Sequence, residues 1–371
     1  MNETKSEFPA LSSISLNSPL RTPPIITLGN NTTISLIALI LLLSGNMVAH
    51  PQEISKGDTV TLIAVGDVSL ARRIGTIIDK NPSFDPFGKV SQIFKSTDLV
   101  FCNLESVLCS KALKPVNNEK PYNLSASAFN SRILKNAGIN IVSLSNNHIM
   151  DYGAAGLNST CSSLTDSEIQ YFGAGKNLAI ATEALTIRIK NMNFAFLGYT
   201  DGMLKTDFAD ADTPGIAIIE LERIKKDIAT ARIENDVIVV SLHWGHEYSN
   251  VPTEKQKQIA RSIIDYGADI IIGHHPHVLQ GVESYKGKYI FYSLGNFLFD
   301  QNKSGTESSL IAAFAFRDKR IVNVKLIPIS RHNKFFPEIA QGNKKTKISN
   351  KILEYSKSAG LDIGPIMRFL N

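Results

Sequence analysis

The chain has 371 residues, 43% of them hydrophobic and 20% charged, which excludes a disordered polymer and allows one large domain or two smaller ones. Its formal charge of +5 is modest and gives no ground for expecting a nucleic-acid partner. Three cysteines with no CxxC spacing exclude a thiolate zinc module.

Residues 1–32 are rich in Ser, Thr, Asn and Pro and show no periodicity. The apolar run 34–43 follows, and Ser44 to Ala49 trails it. A run of ten residues, nine of them apolar, is short for a spanning helix and fits a signal h-region. Ala49 would end the cleavage site, although Met47 is not the small residue expected two places before it. An uncleaved anchor is the competing reading. Either places the protein outside the cytoplasm, secreted or held to the membrane by its N-terminus. Residues 1–50 are therefore set apart from a domain at 58–330, with a basic extension carrying a helix at 331–371.

From residue 59 the pattern is regular. Residues 59–65 read as an apolar, β-branched strand ending in Gly66-Asp67, and 98–102 as a second ending in Asn103-Leu104-Glu105. Residues 128–137 have helical spacing, with Ser127 as a cap and Gly138 as terminator. Strand 139–144 runs into Ser145-Asn146-Asn147-His148, and 154–166 is helical. Strands 186–190 and 194–199 pair around a turn at 191–193. An amphipathic helix covers 219–233. Strand 237–242 delivers His243-Trp244-Gly245. Thr253 and Gln256 make a capping box for a helix closed by Gly267. Strand 270–272 delivers Gly273-His274-His275-Pro276-His277, and 289–294 leads into Gly295-Asn296. Strands 310–316 and 321–329 form an antiparallel pair, and a last helix at 349–359 stops at Gly360. Cys102 and Cys109 could pair in an exported protein, leaving Cys161. The alternative is three small buried apolar residues.

Five of these strands end in a group able to bind metal: Asp67, Glu105, Asn147 with His148, His243, and His275 with His277. Five of the eight histidines fall between residues 243 and 277. Strands that deliver imidazoles and carboxylates at their C-terminal ends build sites at the rim of an α/β sheet. A mixed N/O donor set suits Mn, Fe, Zn or Mg, and the number of donors is enough for two divalent ions sharing a carboxylate.

At these residues the chain resembles the CapA-type poly-γ-glutamate capsule biosynthesis family of the calcineurin-like metallophosphoesterase superfamily. The similarity is carried by Gly66-Asp67-Val68, Asn103-Leu104-Glu105, Ser145-Asn146-Asn147-His148 with Asp151 and Gly153, and His243-Trp244-Gly245 with Glu247-Tyr248. Gly273 with His275-Pro276-His277-Val278 and Gln280, and Tyr292-Ser293-Leu294-Gly295-Asn296-Phe297 with Phe299-Asp300, complete it. The resemblance spans about residues 59–301 and implies an α/β fold, a four-layer α-β-β-α sandwich of the metallophosphoesterase type. It also implies Asp67 on a first metal, Glu105 bridging, Asn147 and His243 on a second, and His275 and His277 on one each. His148 would be the general acid and Asp151 its orienting partner, with Asn103, Glu247 and Asn296 supporting the ligands. One departure stands out: Ser69 occupies the place where Asp-x-His is usual, which weakens the first site unless His246 or His274 fills it.

Residues 317–371 hold twelve Lys and Arg against four Asp and Glu, so the basic charge is concentrated there. Such a tail suits an anionic polymer or anionic headgroups, or is simply a solvated surface. Two functions follow as expectations. One is an extracytoplasmic metal-dependent hydrolase of a phosphoester or of an anionic cell-envelope polymer. The other is a non-catalytic polymer-binding or export partner in capsule synthesis.

Overall fold

The computed structural model describes residues 59–364 apart from 118, 119, 203 and 334. The apolar run at 34–43 and the cleavage site at Ala49 lie outside the described residues. The strands in chain order are β1 (Val60–Val68), β2 (Leu99–Leu104), β3 (Val107–Leu108), β4 (Ser125–Ala126), β5 (Ile141–Ser143) and β6 (Gln170–Phe172). They continue with β7 (Ala174–Gly175), β8 (Leu185–Ile189), β9 (Met192–Thr200), β10 (Gly215–Ile216), β11 (Val237–His243) and β12 (Ile270–His274). The last six are β13 (Val282–Tyr285), β14 (Lys288–Phe291), β15 (Asn296–Leu298), β16 (Ser308–Arg317), β17 (Arg320–His332) and β18 (Phe336–Ile339). The helices are α1 (Arg72–Lys80), α2 (Ser91–Lys95), α3 (Ser131–Ala137), α4 (Gly153–Asp166), α5 (Leu178–Thr182), α6 (Leu221–Arg232), α7 (Glu254–Asp265) and α8 (Gly342–Ser358).

Two sheets carry the architecture. The first runs β18-β17-β16-β1-β2-β5-β6, with β15 also paired to β1. The second runs β13-β14-β12-β11-β9-β8. In the second, a parallel centre is flanked by antiparallel strands on both sides, whereas in the first the parallel strands β1, β2, β5 and β6 run to one edge and the antiparallel β16, β17 and β18 lie on the other side. Side-chain alternation explains how the sheets stack. On β2, Leu99 and Phe101 face the layer between the sheets, whereas Val100, Cys102 and Leu104 face the outer layer with Ile74, Phe94 and Leu134 of the helices. On β11, Val237 and Val239 face inward, and Ile238, Val240 and Leu242 meet Ile224, Ile228 and Ile263 of α6 and α7. Helix, sheet, sheet and helix follow one another, the four-layer sandwich implied by the resemblance. Strands buried on both faces need continuous apolar runs, which is why they read so clearly.

The same alternation aims the polar residues. Asn103 on β2 and His243 on β11 share parity with the inward-facing residues of their strands, and so does His274 on β12. Asp67 would point outward by simple parity with Ile63 and Val65. A register irregularity between Ala64 and Asp67 resets β1, so that Val68 joins Val65 in the outer layer and Asp67 turns inward. Glycine permits this crowding. A Cβ on Gly66 would lie 1.9 Å from Gly295 O, and one on Gly273 would lie 2.0 Å from Tyr292 O.

The capping box of α7 forms as expected, with Gln256 N donating to Thr253 Oγ1 (3.1 Å) and Thr253 N to Gln256 Oε1 (3.0 Å). Three expectations need correction. Residues 128–137 begin as a 3-10 turn at Ala128–Asn130 before α3, and the Ser127 side chain makes no cap. The strand expected at 289–294 stops at Phe291, because the chain leaves the second sheet there. It turns at Gly295 (φ 68) and pairs as β15 with β1 of the first sheet. The final helix starts at Gly342, not 349.

Cys102, Cys109 and Cys161 are all free thiols, the first two buried. The 331–364 segment continues β17 into β18 and α8, and Ile348 and Ile352 of α8 lie in the core between the sheets. Among the described residues no helix is long and apolar enough to cross a membrane.

Candidate metal centre

The parallel strands of both sheets end at one rim, and the polar residues that follow them meet there. Asn103 is the hub. Its Nδ2 lies 2.9 Å from Asp67 Oδ1, 3.2 Å from Glu105 Oε2 and 3.3 Å from His243 Nδ1. Its Oδ1 accepts from Asn146 Nδ2 at 3.0 Å. Asn146 Oδ1 in turn accepts from the backbone of His148 and Ile149, both at 3.1 Å, which shapes the turn carrying Asn147 and His148.

Around this hub the six predicted ligands converge. Asp67, Glu105 and His243 each offer an atom within 4.8 Å of the others. His243 Nε2 lies 2.9 Å from Asn147 Oδ1 and 3.1 Å from His275 Nδ1. His277 Nδ1 lies 3.4 Å from Asp67 Oδ2 and 2.9 Å from Asn296 Oδ1, while its Nε2 lies 3.6 Å from Glu105 Oε1. His275 (φ 93) and His277 (φ 58) both adopt left-handed backbone, which a residue with a Cβ rarely takes unless its surroundings impose it. Tyr248 N pins the intervening Pro276 carbonyl at 2.8 Å.

These groups are buried together at an electrostatic cost. Burial opposes ionisation of Asp67, but the His274 and His277 imidazoles outweigh it and hold its carboxyl well below the usual range. Burial pushes Glu105 well above that range. Burial, aided by His275, pushes His243 down; burial and His277 bring His275 down to about 4. Burial works against a charge on His277 too, yet Glu105 and Asp67 raise it to about 9. His277 therefore carries a proton at neutral pH, drawn by the Glu105 and Asp67 carboxyls beside it.

Does this set fit a cation? Glu105 Oε1 is buried and has no hydrogen-bond partner among the described residues. A fold seldom orphans a buried carboxylate oxygen amid imidazole nitrogens unless something positive belongs there. The donors are carboxylate, amide and imidazole, which match a divalent ion of borderline hardness. Loading must expel the proton that His277 holds, so affinity should rise with pH up to about 9, where His277 titrates. Calorimetry of Mn²⁺ binding in buffers of different ionisation enthalpy should count at least about one proton released per loading event at pH 7. Affinity that stays flat between pH 6 and 9 would contradict this protonation pattern.

The remaining predicted residues are placed as follows. His148 Nδ1 lies 2.8 Å from Asp151 Oδ2, and its Nε2 faces Glu105 Oε1 at 4.0 Å. Ser69 is buried and its Oγ turns back to its own chain, accepting from Ala71 N at 3.4 Å. Of the two substitutes considered for it, His274 stands beside Asp67, Nδ1 3.2 Å from Oδ1 though not aligned for a hydrogen bond. His246 is exposed and lines a separate cavity of about 670 Å³ with Asp201, Trp244, Lys255 and Gln256, away from the donors. Glu247 is exposed but close enough to act electrostatically on His275 and His277.

Sequence reasoning missed three supports. Lys120 Nζ donates to Asp151 Oδ1 (2.6 Å) and to the Asn147 carbonyl, bracing the His148 partner. Gln301 Oε1 accepts from Asn296 Nδ2 at 2.9 Å, and its Nε2 reaches Tyr248 Oη at 3.3 Å. Arg331, on β17, donates to Phe299 O (2.7 Å), Gln301 O (3.0 Å) and Thr306 Oγ1 (3.0 Å). A lone lysine in a polar loop and a lone arginine in a strand carry no local signal for such roles.

The profile of the bacterial capsule synthesis protein PGA_cap matches residues 61–301. The chain is 33% identical over 285 residues to the capsule biosynthesis protein CapA of Bacillus anthracis, covering 76% of this chain and 69% of that one. It is 34% identical over 277 residues to the PGA biosynthesis protein CapA of Bacillus subtilis (strain 168), covering 74% and 72%. Among solved structures, the 5'-nucleotidase precursor from Thermus thermophilus is similar with a TM-score of 0.43 and 11% identity, over 81% of this chain and 59% of that one.

Proposed function

The chain belongs to the bacterial capsule synthesis protein PGA_cap family, and from that premise we propose that it is a metal-dependent hydrolase of the cell envelope, acting on an anionic capsular polymer or a phosphoester through a dinuclear centre. The observation that carries this reading is the buried donor cluster with its orphaned carboxylate oxygen, Glu105 Oε1. Asp67, Glu105, Asn147, His243, His275 and His277 are the residues we assign to two divalent ions, of Mn, Fe, Zn or Mg. Such ions supply a lowered water pKa and polarise the scissile group. His148 gives a proton to the leaving oxygen or nitrogen, and Asp151, braced by Lys120, keeps its ring aimed. The apolar run at 34–43 supports an extracytoplasmic place, secreted or tethered to the membrane.

The test is metal analysis of the purified chain, coupled to hydrolysis of a generic phosphodiester with added Mn²⁺ or Zn²⁺. We expect close to stoichiometric metal, activity that rises on metal addition, and loss of both in His243→Ala. A protein that takes up no metal at stoichiometric levels would sink the hydrolase reading and leave polymer binding or export as its role.

A further inference from the structure

Two cations sit on aromatic faces at the mouth of the candidate centre. Lys303 Nζ lies 3.5 Å from the centroid of the Tyr248 ring, and the Arg72 guanidinium lies 5.0 Å from that of Tyr122. The Tyr248 ring is 6.2 Å from that of His277, so the first pair borders the donors directly. Lys303 is exposed and has no carboxylate partner among the described residues. Arg72 gives Nε to Asp300 Oδ1 at 3.3 Å, which leaves its two terminal nitrogens as an outward fork.

Both cations depend on one loop. Asp300 fixes Arg72 and also accepts from Arg73 N at 3.2 Å. Three residues on, Lys303 lends its carbonyl to Thr306 Oγ1 (2.7 Å), which Arg331 also holds. Arg331 is half-buried; desolvation lowers it to about 10, and it still carries its charge at neutral pH. Arg72 itself has φ 56, a strained left-handed conformation maintained only where the surroundings fix it. Burial raises the Tyr248 phenol, so the ring under Lys303 stays neutral and does not cancel the ammonium.

We propose that Arg72 and Lys303 form an anion-binding rim that takes carboxylates flanking the scissile bond of a polyanionic substrate chain, with Arg331 as the positioning residue of the loop that sets them. Each cation stands singly on a neutral ring, an arrangement that suits monoanions along a chain. A phosphate dianion calls for several donors converging on one point. This inference rests on the hydrolase reading for the place of the rim, yet binding can be measured without turnover.

The experiment uses fluorescein-labelled oligoglutamate of about ten residues, neutral oligoglutamine of the same length and inorganic polyphosphate of matched charge, with anisotropy read at two salt concentrations. The full chain is titrated with Mn²⁺ and again in EDTA. Oligoglutamate should bind at least about tenfold more tightly than oligoglutamine, and less so at high salt. Lys303→Ala should weaken it by about fivefold to tenfold, Lys303→Arg should restore it, and Arg331→Lys should reduce the charge discrimination with metal content kept. Equal affinity for charged and neutral oligomers, tighter binding of polyphosphate, or indifference to Lys303→Ala would overturn the rim. Charge discrimination without any hydrolysis would leave the rim standing and remove the hydrolase; hydrolysis without discrimination would do the reverse.

Discussion

His148→Ala is expected to lower turnover by about 10²-fold or more on a substrate with a poor leaving group, with bound metal unchanged. The reason is positional. Asp151 takes His148 Nδ1 at 2.8 Å, and Asp151 is itself fixed by Lys120 Nζ at 2.6 Å and Leu124 N at 2.7 Å. The ring therefore presents Nε2 to the donor cluster. Its side chain is 13% exposed, against 0% for His274 and 3% for His277, so it has the access to solvent that proton delivery requires. An acid assists a poor leaving group more than a good one. An alkyl phosphodiester should consequently lose far more kcat in this variant than a nitrophenyl ester does. Equal losses on the two substrates, or loss of metal along with activity, would assign His148 to another role.

Gly66→Ala is expected to bring the largest loss of stability of any single methyl added to the chain's strands, at least about 3 kcal/mol. The new Cβ would meet Gly295 O at 1.9 Å. That carbonyl cannot withdraw freely, because it accepts from Asp67 N at 3.0 Å. Gly295 is itself confined: its φ is 68, and a Cβ there would lie 2.8 Å from Ser308 O. Relief must come from moving β1 or β15, and Asp67 moves with either. Urea unfolding should show the drop, and metal affinity should fall with it. Gly273→Ala, with Tyr292 O at 2.0 Å, is the matching change in the second sheet. A midpoint near that of the parent chain would mean that the crossing is looser than its contacts indicate.

The strands were legible because burial on both faces demands unbroken apolar runs, and the capping box because both its bonds are local. The donor cluster was legible because each polar group follows such a run. What stayed hidden depends on parity and on distant partners. Nothing near Asp67 announces the irregularity that turns it inward; it is visible only as Val65 and Val68 sharing a layer. His274 reads like its neighbours in the His-His-Pro-His stretch, yet it faces the Phe101 ring in the layer between the sheets, centroids 5.8 Å apart. The helix expected at 349–359 lacked its first turns because 342–348 is polar and lysine-rich, with Ile348 as its one buried apolar anchor. Lys120, Gln301 and Arg331 act through residues far from them in the chain, and no spacing rule reaches that distance.

The match to the family model stops at residue 301, but the molecule does not divide there. Past that boundary β16 lies along β1 from Val60 to Ala64, and Arg331 grips the loop at 299–306. A gene fragment ending at the boundary would leave the first carboxylate's strand with a raw flank, open to other chains, and would release the loop from its clasp. Anyone grafting this centre onto another scaffold must carry the hairpin at 308–332 with it.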